Sequence, residues 1–137
     1  MDENRIRALI PSGKSDDVGG LANLTLEEVQ LIAAELLEWC VDVNWPVAME
    51  IGAVFTRLGP PIAPTVRNFS TTHNANDNWG ILASIRSPAI WFELRDLLER
   101  IANKPTDDER VEGLDEVASD WLTGLICGAL LQLNQGR

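Results

Sequence analysis

The stretch TLEEVQLIAAELLEWCVDVNWPVAMEIGAVFTRLGPP, residues 25–61, decides the fold of this chain. Its first half sets Val29, Ile32, Ala33, Leu36, Leu37 and Cys40 three and four residues apart, the spacing that lines one face of an α-helix. This predicts a helix from residue 26 to about 41, with Thr25 capping the first turn and Glu28 completing a capping box. The second half repeats the device, with Val47, Ile51, Val54, Phe55 and Leu58 as the stripe. Asn44 is the expected N-cap, and Pro46 fits a first turn, where a missing N–H costs little. Gly59 can take a positive φ, and Pro60-Pro61 stops the helix. Two short amphipathic helices on a tight connection must cover each other's stripes, so they pack as antiparallel neighbours.

The same pattern continues outward. Residues 3–9 read as a short helix and 11–23 as a loop. A helix over 62–69 turns Ile62, Val66 and Phe69 inward, the polar run 70–76 reads as a loop, and Asp77 is the expected cap of a helix carrying Trp79, Leu82 and Ile85. Ser87-Pro88 restarts a helix with Ile90, Leu94, Leu97, Leu98 and Ile101 in phase. Thr106 and Glu109 form a second capping box, opening a last helix through Val111, Leu114, Ala118, Trp121, Leu122 and Leu125. No segment alternates apolar and polar residues as a strand would. The reading is all-α, one domain over 1–137, with 123–137 a C-terminal apolar extension. The architecture is a short HEAT-like αα-superhelix, with a closed helical bundle as the alternative. An internal echo favours the superhelix: Asn44-Trp45 and Asn78-Trp79 lie 34 residues apart, within the range of helical repeats, and both are expected at helix starts.

Several boxes carry a family resemblance. They are Leu9-Ile10-Pro11 with Lys14-Ser15-Asp16, then Leu36-Leu37-Glu38-Trp39, and above all Asp42-Val43-Asn44-Trp45-Pro46-Val47-Ala48. Trp79 with Ile81-Leu82 follows, then residues 99–106 (ERIANKPT) and Asp115-Glu116-Val117-Ala118. From about residue 9 to 122 the chain resembles a small, mostly bacterial family catalogued as a domain of unknown function with a HEAT-like helical fold. The resemblance implies a fold and no activity.

Charge excludes more than it proposes. With 21 acidic against 11 basic residues, the formal charge is −10, which repels a phosphate backbone or an anionic membrane. Nucleic acid and membrane are therefore not expected partners, whereas a basic protein would be steered toward this surface. The charged start Met1-Asp2-Glu3-Asn4-Arg5 leads into no long apolar run, so no signal peptide is expected and the location reads as cytoplasmic. Cys40 and Cys127 have no metal-ligand spacing and are read as buried thiols.

No catalytic, cofactor-binding or metal residue is assigned. The one histidine, His73, falls in a polar run and is read as solvated, and no GxSxG elbow accompanies it. Gly19-Gly20 lacks the lysine and spacing of a phosphate loop. Asp108, Glu112, Glu116 and Asp120, four residues apart, would line one helical face, but no histidine is available there for a carboxylate-bridged metal site, so the face is read as solvated. The five tryptophans are read as wedges between repeats, with recognition anchors as the alternative.

The function expected is a non-enzymatic protein-interaction module. Its groove is bordered by the two Asn-Trp pairs, with candidate binding residues Asp42, Asn44, Trp45, Asp77, Asn78 and Trp79. An acidic immunity or inhibitor protein neutralising a basic partner is the alternative. An enzyme would require a polar pocket with converging carboxylates. Gly124 and Gly128 in the apolar tail suggest a homodimer through the C-terminal helix.

Overall fold

Helix α1 (Glu3–Arg7) is capped by Asp2, and the two stripes of residues 25–61 become α2 (Leu26–Glu38) and α3 (Pro46–Leu58). They belong to a computed structural model that describes residues 2–14 and 16–135, with side-chain surroundings described as far as Cys127. Further along come α4 (Ala63–Thr71), α5 (Ala75–Ser84), α6 (Pro88–Glu93), α7 (Arg95–Asn103), α8 (Asp107–Val111) and α9 (Leu114–Gln135). Short 3-10 turns occupy Gly19–Asn23 and Pro60–Ile62. No strand occurs among the described residues, and the fold is all-α.

The periodicities read from the sequence are realised as burial. Val29, Ile32, Ala33, Leu36, Leu37 and Cys40 are all buried, as are Val47, Ile51, Val54 and Phe55. Each fully buried aliphatic side chain of this kind contributes about 1.5–3 kcal/mol. Both capping boxes form: Thr25 Oγ1 accepts the Glu28 N–H while Glu28 accepts the Thr25 N–H, and Thr106 and Glu109 reciprocate in the same way. Gly59 ends α3 at φ +73° and ψ −155°, a conformation costly for any residue with a Cβ.

The helices pack against one another. Helix α2 packs on α4, α3 packs on α5, and α5 in turn meets α9, which also takes its most extensive contact from α7. Helix α5 therefore lies between neighbours, and from Gly80 onward it is buried on most sides through Gly80, Ile81, Leu82 and Ser84. Small residues let the backbones meet. A Cβ at Gly80 would stand 2.1 Å from the Val41 carbonyl oxygen.

Packing moves several boundaries. The loop expected over 70–76 shrinks to 72–74, because α4 runs on to Thr71 and α5 starts at Ala75. Asn74, not Asp77, is the N-cap of α5: its side chain accepts the Asp77 N–H at 2.8 Å. Similarly Trp45, not Asn44, occupies the N-cap of α3. The helix expected over 88–101 breaks at Leu94, where φ is −105° and ψ 18°. The last helix breaks as well, at Gly113 with φ +73°, which leaves Val111 82% exposed instead of inward. At Leu94 and Gly113 a locally permitted helix yields to a turn that lets the next apolar stripe reach the core.

Candidate functional site: a tryptophan corner and a polar cleft

The distinctive box at 42–48 builds a corner. Asp42 Oδ1 accepts the Asn44 N–H at 2.9 Å, and the Asp42 carbonyl accepts the Trp45 N–H at 3.1 Å. This is a side-chain-supported turn of the kind aspartate favours. It delivers Trp45 to the start of α3, where no side chain caps the helix. The Lys14 carbonyl serves instead, accepting the Val47 N–H at 3.1 Å. The Lys14 ammonium lies 5.4 Å from the centroid of the Trp45 ring, and Trp39 meets that ring edge-to-face at 5.6 Å. Asp16 holds the incoming loop by accepting the Ser12 and Gly13 N–H groups at 2.7 and 2.9 Å. Those N–H groups, Ser12 first, keep its carboxyl below the usual range. Two boxes distant in sequence are thus one structure.

Behind the corner, Val41 rests against Gly80, the neighbour of Trp79. Trp79 is 37% exposed, while Trp45 is half-buried. The candidates Asp42, Asn44, Trp45 and Trp79 therefore gather around one backbone contact. Asn78 does not join them. It is 6% exposed and directs its side chain inward. Asp77 acts electrostatically on His73. Trp79 stands in the middle of α5 and not at a helix start, so the two Asn-Trp pairs are not equivalent. Of the remaining tryptophans, Trp91 is buried at 1% exposure, its indole N–H donating to the Ile85 carbonyl at 2.7 Å.

On the other side of Asn78 opens a polar cleft of about 330 Å³, between the end of α4, the start of α5, α7 and α8. His73 is clamped there, contrary to the solvated role expected. Its Nε2 lies 2.6 Å from Glu38 Oε1, its Nδ1 lies 2.7 Å from the Phe69 carbonyl oxygen, and its ring stacks on Phe69 at 3.6 Å. Both partners are acceptors, which favours a proton on each nitrogen. Partial burial opposes the charged ring, but the bonds to Glu38 and the Phe69 carbonyl, with the charges of Glu38 and Asp77, outweigh it and raise the pKa. Neither nitrogen is left to act as a base.

Arg100 and Glu109 form the second clamp, bidentate at 2.8 and 2.6 Å. Glu109 is buried, and the Arg100 guanidinium, aided by the Thr106 N–H, holds its carboxyl low against the opposing effect of burial. Asn78 Nδ2 donates to the Ser70 carbonyl at 2.9 Å and to that of His73 at 3.4 Å. Turning the amide over would face its oxygen to two carbonyls, so the orientation is set. Oδ1 is left buried without a partner, which costs about 1–3 kcal/mol.

The expected acidic face is divided by the break at Gly113, and its members are exposed. Among the described residues no group of three or more His, Cys, Asp or Glu could hold a metal ion. Cys40 is buried as expected, whereas Cys127 is exposed on α9. The GxxxG pair reaches Gly128, which lies outside the residues whose side chains are described; Gly124 has open space around it. Among the described residues no helix is long and apolar enough to cross a membrane. The cleft was hidden from sequence reading. Only Glu109 gave a sign, through its capping box, and nothing local ties Arg100 or His73 to their partners.

Fold and site together define an all-α domain of packed helices, with a tryptophan corner beside α5 and a clamped polar cleft at its first turn. The chain belongs to the family described as a domain of unknown function (DUF5071), whose model matches residues 9–122 and so takes in both features. No curated protein matches the chain, and no solved structure matches it.

Proposed function

We propose that this domain is a non-enzymatic, cytoplasmic protein-interaction module, a HEAT-like stack that presents Trp79 and the Asn44-Trp45 corner to a protein partner. One observation carries the reading: Trp79 keeps 37% of its surface exposed although it sits on α5, a helix packed between α3 and α9 with most of its second half buried. A large aromatic held outward by a rigid, buried helix loses little entropy on binding, which suits it to anchor an interface. The packing of α2 on α4 and of α3 on α5, each helix against the next but one, supports the stacked architecture. The formal charge of −10 favours a basic partner. The non-catalytic reading draws on the clamped His73 and Glu109, each already committed to a partner.

The test is affinity capture from the source cells with the parent chain, Trp79→Ala and, as a control, Phe92→Ala, which alters an aromatic 48% exposed elsewhere. A partner retained by the control and lost from Trp79→Ala supports the reading; the same partners captured by all three would refute it. Repetition at high salt separates the alternative, an acidic inhibitor of a basic partner, which would release that partner in salt whatever stands at position 79. Homodimerisation through the C-terminal helix is a separate proposal, motivated by Ile126 at 61% exposure. Truncation after Thr123 followed by light scattering decides it: an unchanged molar mass eliminates the dimer.

A further inference from the structure

We infer that the groove between α3 and the chain preceding α2 is a binding site for a short linear zwitterion, its ammonium at Asp17 and Glu50 and its carboxylate at Arg57. Residues 16–24 lie alongside α3 between two anchors. At one end the Lys14 carbonyl accepts the Val47 N–H at 3.1 Å, and at the other the Leu24 carbonyl accepts a bond from Arg57 Nη2 at 2.8 Å. Between the anchors Gly19, Ala22 and Ala53 are small, and they leave a groove of about 430 Å³. Its apolar lining includes Val18 and Val54, both buried. The volume lies within the range of small-molecule sites.

Charge gives the groove a direction. Asp17 stands three residues beyond Lys14, Glu50 one turn beyond Val47, and Arg57 holds the far anchor. Glu50 and Arg57 are two turns apart on α3, about 10 Å along its axis, so they do not neutralise each other as adjacent partners. Arg5, Arg7, Arg67, Arg100 and Arg110 each pair with a carboxylate. Arg57 pairs with none among the described residues, and Glu50 engages no side chain among them. Asp17 spends one oxygen on the Gly19 N–H at 2.9 Å and keeps the other. A simple anion meets two carboxylates for one guanidinium, a simple cation gains nothing at Arg57, and an uncharged apolar molecule uses the valines alone. A molecule with both charges, joined by an apolar chain of about five methylenes, uses all three features. This inference is independent of the protein partner proposed for the corner.

The experiment is an amide-detected NMR titration of the full chain with 6-aminohexanoate, beside matched titrations with hexylamine, sodium hexanoate and glycine. The expected result is saturable shifts at Ala22, Ala53 and the Arg57 Nε–H with 6-aminohexanoate, at a midpoint of about 1 mM, the strength that two exposed ion pairs and a few covered methylenes supply. Hexylamine and hexanoate should bind more weakly, and glycine, too short to span the groove, should leave these signals in place. Glu50→Gln, an exposed change at a residue without a side-chain partner, should weaken binding about fivefold, the worth of one exposed ion pair. Ala53→Leu fills the groove from an exposed helix position and should abolish the shifts while the melting temperature stays near that of the parent. Hexylamine or hexanoate binding as tightly as the zwitterion would mean an unselective apolar groove and overturn the assignment. So would a midpoint unchanged by both substitutions, or no saturable shift in the millimolar range.

Discussion

Gly52 and Ser84 touch backbone to backbone: a Cβ at Gly52 would stand 1.9 Å from the Ser84 carbonyl oxygen. The Ser84 hydroxyl meanwhile donates to the Cys40 carbonyl at 3.1 Å. Helices α3 and α5 are thus seated by the absence of a side chain, and α5 is the element that carries both Trp79 and Asn78.

Gly52→Ala and Gly80→Ala should each cost about 3 kcal/mol or more, because rigid backbone must retreat from the new methyl group. Gly124→Ala, where nothing lies within 4 Å, should be neutral or stabilise by up to about 1 kcal/mol through helix propensity. Urea denaturation of the three variants compares them directly. Equal losses at all three would mean that propensity, not contact, sets the cost.

Glu109→Gln keeps the shape of the clamp and removes its charge. With Arg100 partly open to water, the expected loss is about 1–3 kcal/mol. The pH dependence has a definite sign. The Glu109 carboxyl is held below its ordinary value of about 4.5, so its stabilisation is present above that pH and fades as the pH falls through the depressed folded value. Thermal melts of parent and Glu109→Gln should therefore converge in acid.

His73 behaves in the opposite sense. Its folded pKa is raised above about 6.5, so its stabilisation is complete below that pH and is lost as the pH rises through the folded value. His73→Gln should narrow the gap to the parent on passing from pH 6 to pH 9. A gap that widens over that interval would contradict the ion pair with Glu38.

The two thiols should differ sharply. Burial pushes Cys40 up to about 12, leaving almost no thiolate at pH 8, whereas Cys127 is exposed. A colorimetric thiol reagent should titrate one equivalent in the native protein and two after denaturation. Two fast equivalents in the native state would show that α2 and α3 do not seal Cys40.

Among the tryptophans, cost should follow burial. Trp91→Ala, at a site 1% exposed, should cost about 3–5 kcal/mol, and Trp45→Ala, half-buried at the corner, clearly less. The comparison is made by the shift in denaturation midpoint at constant slope.

Local signals were enough for the elements. The stripes over 26–40 and 47–58, both capping boxes, the restart at Ser87-Pro88 and the absence of strands among the described residues were legible, because helix phase, caps and proline depend on residues within about four positions of one another. What lay beyond that range was not legible. Nothing near Asn78 says that it is buried, nothing near His73 names Glu38 thirty-five residues earlier, and nothing near Trp45 says that Lys14 caps its helix. The echo of two Asn-Trp pairs misled for the same reason: identical neighbours along the chain met different neighbours in space. The sequence alone determined that this is an all-α chain and where most of its helices begin. The tertiary structure decided which polar groups lost their water and met partners from other helices, because desolvation and long-range pairing are properties of packing and not of order along the chain.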